Sequence, residues 1–179
     1  SIARIAREYG AETPFIRPTE LSDDYTGTNA VVTHAIEELN SKVDFACCIY
    51  ATAPFVTAKI LKQGYVELVN TSYADFAVTV TSFPFPVQRA VIFDQTTHCL
   101  TMNDDKFRLS RSQDLVEMYH DAGQVYWGRS SAFIENKPLF SANTAPIILA
   151  RHRVQDIDTQ EDWLRAEMLY KVWIESGQP

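Results

Sequence analysis

The stretch that decides the expected fold is Asp44-Phe45-Ala46-Cys47-Cys48-Ile49-Tyr50, or DFACCIY in one-letter code. A continuous apolar run of this length is typical of a strand that is buried on both faces, as in a parallel sheet. A loop of small residues follows, Ala51-Thr52-Ala53-Pro54-Phe55, and a helix is predicted over residues 57–63. This order predicts an α/β fold whose ligands bind beyond the carboxyl ends of the strands. The small side chains would let backbone amides approach a nucleotide, and a plain tight turn explains the loop equally well.

Helical and alternating patterns continue along the chain without internal repeats. Residues 76–127 are expected to form a β-rich arm, inserted in a single domain of residues 1–179, and its exposed apolar residues favour dimerisation. Helices are predicted over residues 2–9, 29–39 (with Thr28 as the cap), 129–135 and 159–174, strands over 76–81, 144–149 and 154–157, a hairpin over 90–102, and a turn at 121–123 that leads into a return strand.

The composition is that of one globular domain. The 179 residues are 46% hydrophobic and 22% charged, with no apolar run that could span a bilayer and no signal-peptide pattern. The formal net charge is −7, from 16 basic and 23 acidic residues, and no basic tract offsets it, which argues against a nucleic-acid binder. Cys47, Cys48 and Cys99 are odd in number and lack zinc spacing, so we expect reduced, mostly buried thiols and a cytoplasmic protein.

Two carboxylates one residue apart, Asp156 and Asp158, form a candidate metal site. In an extended chain they point the same way, where their mutual repulsion favours a cation between them, and hard carboxylate oxygens suit Mg²⁺. The alternative is structural: Thr159 could cap the last helix, with Asp162 as its capping-box partner.

Arg17 is the other single candidate. It lies in the proline-flanked piece Thr13-Pro14-Phe15-Ile16-Arg17-Pro18 and could contact a phosphate, or it could be an ordinary surface arginine beside a strand. The histidines lie far apart in the sequence, with no nucleophile–base pattern around them, so a Ser-His-Asp site is not indicated.

Several motifs, in a fixed order, resemble a known family, the cytidylyltransferases of the acylneuraminate type that activate nine-carbon acidic sugars. The stretches Phe83-Pro84-Phe85-Pro86 and Tyr119-His120-Asp121-Ala122-Gly123-Gln124 are similar to the pseudaminic acid branch in particular. The other motifs that carry the resemblance are Phe15-Ile16-Arg17-Pro18-Thr19-Glu20-Leu21-Ser22, Tyr50-Ala51-Thr52-Ala53-Pro54, Arg111-Ser112-Gln113-Asp114, Gly123-Gln124-Val125-Tyr126-Trp127 and Asp156-Ile157-Asp158-Thr159.

The resemblance implies a three-layer α/β sandwich with a mainly parallel sheet, like other nucleotide-diphospho-sugar transferases, and a homodimer. It implies that the sugar's anomeric hydroxyl attacks the α-phosphate of CTP, giving a CMP-sugar and pyrophosphate with the help of Mg²⁺. The residues that match family positions are Asp156 and Asp158 for the metal, Arg17 for the phosphates, Ala51, Thr52 and Ala53 for the nucleotide, and Gln88, Arg89, Arg111, Gln113 and Tyr126 for the acidic sugar.

The chain departs from the family pattern in two places. No stretch matches the Gly-, Arg- and Lys-containing loop that wraps the triphosphate, and the chain opens at Ser1 inside a helical pattern. We therefore expect a preceding unit of roughly 45 residues, by the usual size of such units, rather than a short natural reading frame. Sialic acid enzymes carry Pro-Asn-Gly where Asp121-Ala122-Gly123 stands here, so the sugar is not assumed to be sialic acid.

Two other functions remain open at this point. The chain could be a non-catalytic remnant that keeps the sugar pocket and the dimer arm. It could also be a glycosyltransferase with Asp156 and Asp158 as its metal pair. The second alternative ranks lower because in those enzymes the acidic pair usually follows a mid-chain strand, whereas here it opens the last helix.

Overall fold

A computed structural model describes residues 2–39 and 42–177 of the chain. Ser1, on which the expectation of a preceding unit rests, lies outside the described residues. No helix within the described ranges is long and apolar enough to cross a membrane. The helices are α1 (Ile2–Glu8), α2 (Thr28–Glu38), α3 (Ala58–Asn70), α4 (Ser130–Ile134) and α5 (Gln160–Glu175), and the strands are β1 (Phe45–Ile49), β2 (Phe76–Ser82), β3 (Val91–Asp94), β4 (Cys99–Met102), β5 (Tyr119–Arg129) and β6 (Thr144–Ile148).

Four strands form an open sheet in the order β1-β5-β2-β6. Strand β5 runs antiparallel to both of its neighbours, whereas β2 and β6 run parallel, so the sheet is mixed and three of its strands share one direction. The bonds that set these directions are Tyr50 N to Gln124 O and Ser130 N to Asp44 O for β1 and β5, Arg129 N to Asp75 O and Phe83 N to Met118 O for β5 and β2, and Asp75 N to Asn143 O and Leu149 N to Val80 O for β2 and β6. The predicted α/β fold class is confirmed.

Burial follows the position of each strand in the sheet. Every residue of β2 except the last is buried, as expected of a strand with neighbours on both sides. Strand β1 ends the sheet among the described residues, and most of its residues are only half-buried. Burial, with the neighbouring Cys48 adding to it, raises the pKa of the Cys47 thiol to about 12. The prediction of mostly buried thiols is wrong for Cys99, which is exposed.

The predicted hairpin over residues 90–102 is confirmed. Strands β3 and β4 pair antiparallel, from Val91 opposite Met102 to Asp94 opposite Cys99. Its apolar side chains are uncovered: Ile92 and Phe93 are each 53% exposed, and Leu100 is 64% exposed. The role of residues 76–127 as a dimer arm stays a prediction.

Four local predictions differ from the structure. Residues 154–157 pair with no described strand, because a 3-10 helix at Arg151–Arg153 precedes them and α5 begins soon after. Helix α3 continues past residue 63 to Asn70, since Gly64 lies on its buried face, where a missing side chain does not break the helix. Thr28 is the first residue of α2 and not its cap, which is Gly27.

The fourth difference is the turn predicted at residues 121–123. Strand β5 runs through these residues instead. Between the two backbone hydrogen bonds that join β5 to β2, β5 contains more residues than β2, so β5 is locally irregular there, as at a β-bulge. Gly123 adopts φ +62, which only glycine adopts at little cost, and the carboxylate of Asp121 accepts a hydrogen bond from the Gly123 N–H at 2.9 Å.

The chain forms two compact units, the first of Ser1–Cys48, Tyr65–Ala77 and Tyr126–Ala145, the second of Ile49–Gly64, Val78–Val125 and Pro146–Pro179. In the first unit the rings of Phe76 and Phe133 meet edge to face at 5.1 Å between centroids. A Cβ at Gly128 would lie 2.5 Å from the Phe133 ring, so only glycine fits there. In the second unit Phe55 is fully buried beside Tyr170 and Trp173 of α5.

Removing the Lys137–Asp75 ion pair of the first unit is expected to lower stability in a pH-dependent way. Lys137 Nζ lies 2.8 Å from Asp75 Oδ1, and the Asp75 side chain is 15% exposed. The hydrogen bond from Lys137 lowers the pKa of Asp75. A carboxyl with a lowered folded-state pKa stabilises the fold above its unfolded pKa, about 3.9, and this contribution is lost as the pH falls through the folded value.

Lys137→Met should therefore reduce the free energy of unfolding at pH 7, and by progressively less below about pH 4. Denaturant unfolding at several pH values measures this. Lys62→Met, at an exposed lysine of α3 that has no ion pair among the described residues, is the control. If the difference in free energy of unfolding between these two variants stayed constant down to about pH 2, the ion pair with Asp75 would not be its cause.

Candidate active site

One cavity lies between the loop that follows β1 and the start of α5. Its volume is about 420 Å³, and it is lined by Ala51 and Thr52 of the loop, by Ile157, and by α5 side chains that include Trp163 and Tyr170. Phe55 anchors the far end of the loop, because its ring is buried against α5. The structure thus brings the predicted nucleotide loop and the predicted metal segment to the same cavity.

The capping interpretation of Thr159 and Asp162 is confirmed. Thr159 Oγ1 accepts a hydrogen bond from the Asp162 N–H at 3.2 Å, and an Asp162 carboxylate oxygen accepts one from the Thr159 N–H at 2.9 Å. The hydrogen bond from the Thr159 hydroxyl lowers the pKa of Asp162. Asp162 is therefore occupied at the helix start, and the neighbouring carboxylates remain for another role.

Asp156 and Asp158 flank Ile157, and both side chains are exposed. Within the described ranges neither carboxylate accepts a hydrogen bond, and no group of three or more His, Cys, Asp and Glu side chains could hold a metal. Two free carboxylates beside a cavity fit Mg²⁺, which proteins commonly hold with one or two carboxylates while substrate phosphates and waters complete the shell. The metal role of this pair stays a prediction.

Strand β5 approaches Asp156 through Gly123. A Cβ at this position would lie 3.6 Å from Asp156 Oδ1, so the backbone of β5 passes close to the candidate metal segment. Sequence reasoning took residues 121–123 for a turn and missed this approach. The signal that points to it is the Asp-x-Gly spacing, in which an aspartate accepts from the amide two residues on.

Four of the predicted sugar-binding residues belong to the segment of residues 111–118 or contact it. Gln88 is only 8% exposed and donates from Nε2 to the Val116 carbonyl at 2.7 Å, so it supports this segment. Arg111 forms a two-bond pair with Asp114, at 2.7 and 3.1 Å. Arg89 Nη1 lies 3.4 Å from Ser112 Oγ, and Gln113 lines a second cavity of about 240 Å³.

Ala53 of the loop does not line the cavity, and its carbonyl accepts from the Val56 N–H at 3.3 Å. The other two predicted residues belong to the first compact unit. Arg17 is exposed and donates from Nε to Ser22 Oγ at 3.1 Å. Tyr126 is 2% exposed at the end of β5 that lies in that unit. Their roles at phosphate and sugar stay predictions.

Two residues that sequence reasoning did not single out connect β5, the segment before Asp156 and the end of the loop. Gln124 of β5 donates from Nε2 to the carbonyl of Arg153 at 2.8 Å, and Arg153 donates from Nη2 to the carbonyl of Phe55 at 2.9 Å. Both bonds end on backbone carbonyls, which every residue has, so no residue-type pattern in the sequence could have indicated them.

Replacing Gly123 by alanine is expected to strain β5 where it meets the aspartates. Gly123→Ala should lower the free energy of unfolding by about 1–2 kcal/mol, because the backbone is held at positive φ between two buried residues. Gly10→Ala is the matched control: its φ is +89, but no atom lies within 4 Å of its Cβ position, and it sits in an exposed segment that can relax. Denaturant unfolding measures both variants. Equal losses of stability would show that the packing around Gly123 does not add to the cost of its positive φ.

Comparison with known proteins identifies the family. The family model described as cytidylyltransferase matches residues 1–176. Pseudaminic acid cytidylyltransferases from Campylobacter jejuni serotypes O:2 and O:23/36 are 43% and 42% identical, over 98% of this chain and 76% of each relative. A Helicobacter pylori protein named as a pseudaminic acid cytidylyltransferase and a UDP-sugar hydrolase is 34% identical, over 86% of this chain and 29% of its own length.

Solved structures show the same fold. A CMP:2-keto-3-deoxy-manno-octonic acid synthetase in complex with CTP superimposes with a TM-score of 0.61 at 10% identity, over 95% of this chain and 77% of that one. A 4-diphosphocytidyl-2C-methyl-D-erythritol synthase from Anaerococcus prevotii gives 0.55 at 11% identity, over 95% and 75% of the chains. The family inferred from the order of the motifs is confirmed: the chain belongs to the cytidylyltransferases, a family of nucleotidyltransferases.

Proposed function

We propose that the protein transfers the cytidylyl group of CTP to pseudaminic acid, or to a closely related nonulosonic acid, and releases pyrophosphate. The observation that carries the proposal is that Ala51 and Thr52 of the loop line the same cavity as Ile157, which lies between the two aspartates. The names of the Campylobacter jejuni relatives support the choice of sugar. The reaction uses CTP, which cells hold in the cytoplasm, and this is the proposed location.

The reaction exchanges one bond to the α-phosphorus for another. The sugar's anomeric oxygen attacks the α-phosphorus of CTP, the bond to the bridging oxygen of the β-phosphate breaks, pyrophosphate leaves, and the hydroxyl proton passes to solvent. Asp156 and Asp158 would hold Mg²⁺, which when bound neutralises charge on the triphosphate as it shifts to the leaving pyrophosphate. Loop residues 51–53 would orient the nucleoside so that the α-phosphate faces these carboxylates.

The acidic sugar would lie against the predicted sugar-binding residues. Arg111 already forms a two-bond pair with a carboxylate, that of Asp114, and this planar geometry is the one that a sugar carboxylate would use in its place. Gln113 would line the same pocket with Arg89 beside it, and Gln88 would hold the pocket wall through its bond to the Val116 carbonyl.

A homodimer is part of the proposal. The exposed apolar side chains of the β3–β4 hairpin, within the arm of residues 76–127, offer the surface on which a second copy would pack.

The decisive assay follows pyrophosphate release by the complete gene product with CTP, Mg²⁺ and either pseudaminic acid or N-acetylneuraminic acid. We expect faster release with pseudaminic acid. Asp158→Asn should reduce the rate by roughly 100-fold or more, the scale on which one charge-stabilising group acts, without changing the unfolding midpoint. Glu161→Gln, which removes an exposed charge three residues away, is the control. A folded protein that releases no pyrophosphate with either sugar overturns the function, and an active Asp158→Asn overturns the metal assignment.

Arg111→Ala is expected to raise the dissociation constant of the acidic sugar about 10- to 100-fold, the scale of a lost charge-assisted pair, with little effect on CTP. Calorimetric titration with each ligand separately measures this. Arg108→Ala removes a neighbouring arginine that is paired with Asp105 and serves as the control. Equal weakening of both ligands would place Arg111 outside the sugar pocket.

A further inference from the structure

The loop of residues 51–54 is held at both ends by the same small group of side chains and strands. At its start, the Tyr50 N–H donates to the carbonyl of Gln124 at 3.0 Å. Just past its end, the carbonyl of Phe55 accepts from Arg153 Nη2 at 2.9 Å. The position of the loop therefore depends on where Gln124 and Arg153 lie.

Those two residues are bonded to each other. Gln124 is fully buried, and its Nε2 donates to the carbonyl of Arg153 at 2.8 Å. The guanidinium of Arg153 lies over the Trp173 ring, 5.0 Å from its centroid, while the ring of Phe55 packs edge-on against the same tryptophan at 5.9 Å. A planar group that is stacked on one face and hydrogen-bonded at one edge has little freedom to turn.

The same pair also borders the aspartates. Gly123 precedes Gln124, and its backbone approaches the Asp156 carboxylate, with a Cβ position 3.6 Å from Oδ1. Arg153 stands three residues before Asp156 on a short connecting segment. A shift of Gln124 or Arg153 would therefore move the loop and the carboxylates relative to each other.

Two polar atoms of this group are left without partners. Gln124 Oε1 and Arg153 Nε are buried, and neither forms a hydrogen bond within the part of the chain that the structure describes. Buried polar atoms are usually satisfied in folded proteins. Gln124 and Arg153 thus keep one acceptor and one donor that their present hydrogen bonds do not use.

We propose that Arg153 and Gln124 are positioning residues, which set the distance between the nucleotide loop and the Asp156–Asp158 pair. Neither is assigned a contact with the reacting atoms. The inference rests on the proposed function and deepens it, because a loop that fixes the nucleoside and carboxylates that take its phosphates must stay in register for the α-phosphate to face the sugar hydroxyl.

The test compares kcat, the KM of each substrate and stability for Arg153→Met and Arg153→Lys in the complete gene product. The methionine keeps the apolar stem and loses both the charge and the hydrogen bond to Phe55. We expect kcat per folded molecule to fall about 10- to 100-fold, the effect of a misplacement of about 1 Å, with the KM of the sugar unchanged. The lysine keeps the charge and one donor, so it should recover part of kcat.

Arg129→Met is the matched structural control. Arg129 makes the same kinds of contact in the first compact unit, since its Nε donates to the Ala74 carbonyl at 2.9 Å and its guanidinium lies 5.5 Å from the centre of the Phe45 ring. This variant should lose stability while keeping kcat per folded molecule. Gln124→Met, which removes the bond to Arg153, should resemble Arg153→Met and provides the measurement if that variant does not fold.

The measurements distinguish failure of the proposed function from failure of the positioning role alone. A wild-type protein that releases no pyrophosphate removes the proposed function, and the inference falls with it. An active wild type whose Arg153 and Gln124 variants keep kcat within about 2-fold, or lose it only in proportion to folded protein as Arg129→Met does, overturns the inference alone.

Discussion

The capping box at the start of α5 is the interaction on which the candidate site depends. By exchanging hydrogen bonds with Asp162, Thr159 fixes where the helix begins and occupies a carboxylate close to the candidate pair. Asp156 and Asp158 are left just before that fixed point, exposed and beside the cavity. The structural and the functional interpretations of this stretch therefore hold together: one acid starts the helix, and the other two are available.

Strand β5 is the second constraint. It lies between β1 and β2 and runs against both, so its residues reach from the end of β1 to the segment before α5. The irregularity at Gly123 allows its backbone to meet Asp156, and the next residue, Gln124, meets Arg153. A fully regular strand would keep its neighbours at the ordinary strand spacing and would leave no place for this approach.

Much of the fold could be predicted because its signals are local. Strand β2, the hairpin and α5 follow from patterns in adjacent residues, and the family followed from the order of short motifs. The length of α3, the path of residues 154–157 and the course of β5 depend on contacts with distant parts of the chain. Gly64 is tolerated in α3 because that face is buried, and no neighbouring residue records this.

In the candidate site, too, some features follow from adjacent residues and others depend on contacts with distant parts of the chain. Ala51, Thr52 and the segment around Ile157 were chosen from sequence and meet at one cavity. The chemistry of Gln88 suggested a ligand contact, yet its amide donates to a backbone carbonyl, a use that depends on tertiary packing. The uneven placement of the thiols has a practical consequence: Cys99 stands on the exposed hairpin, whereas Cys47 and Cys48 are half-buried and the raised pKa of Cys47 keeps it protonated. A thiol-reactive dye added to the native protein would thus mark the hairpin first, and protection of Cys99 at high protein concentration would report what covers it.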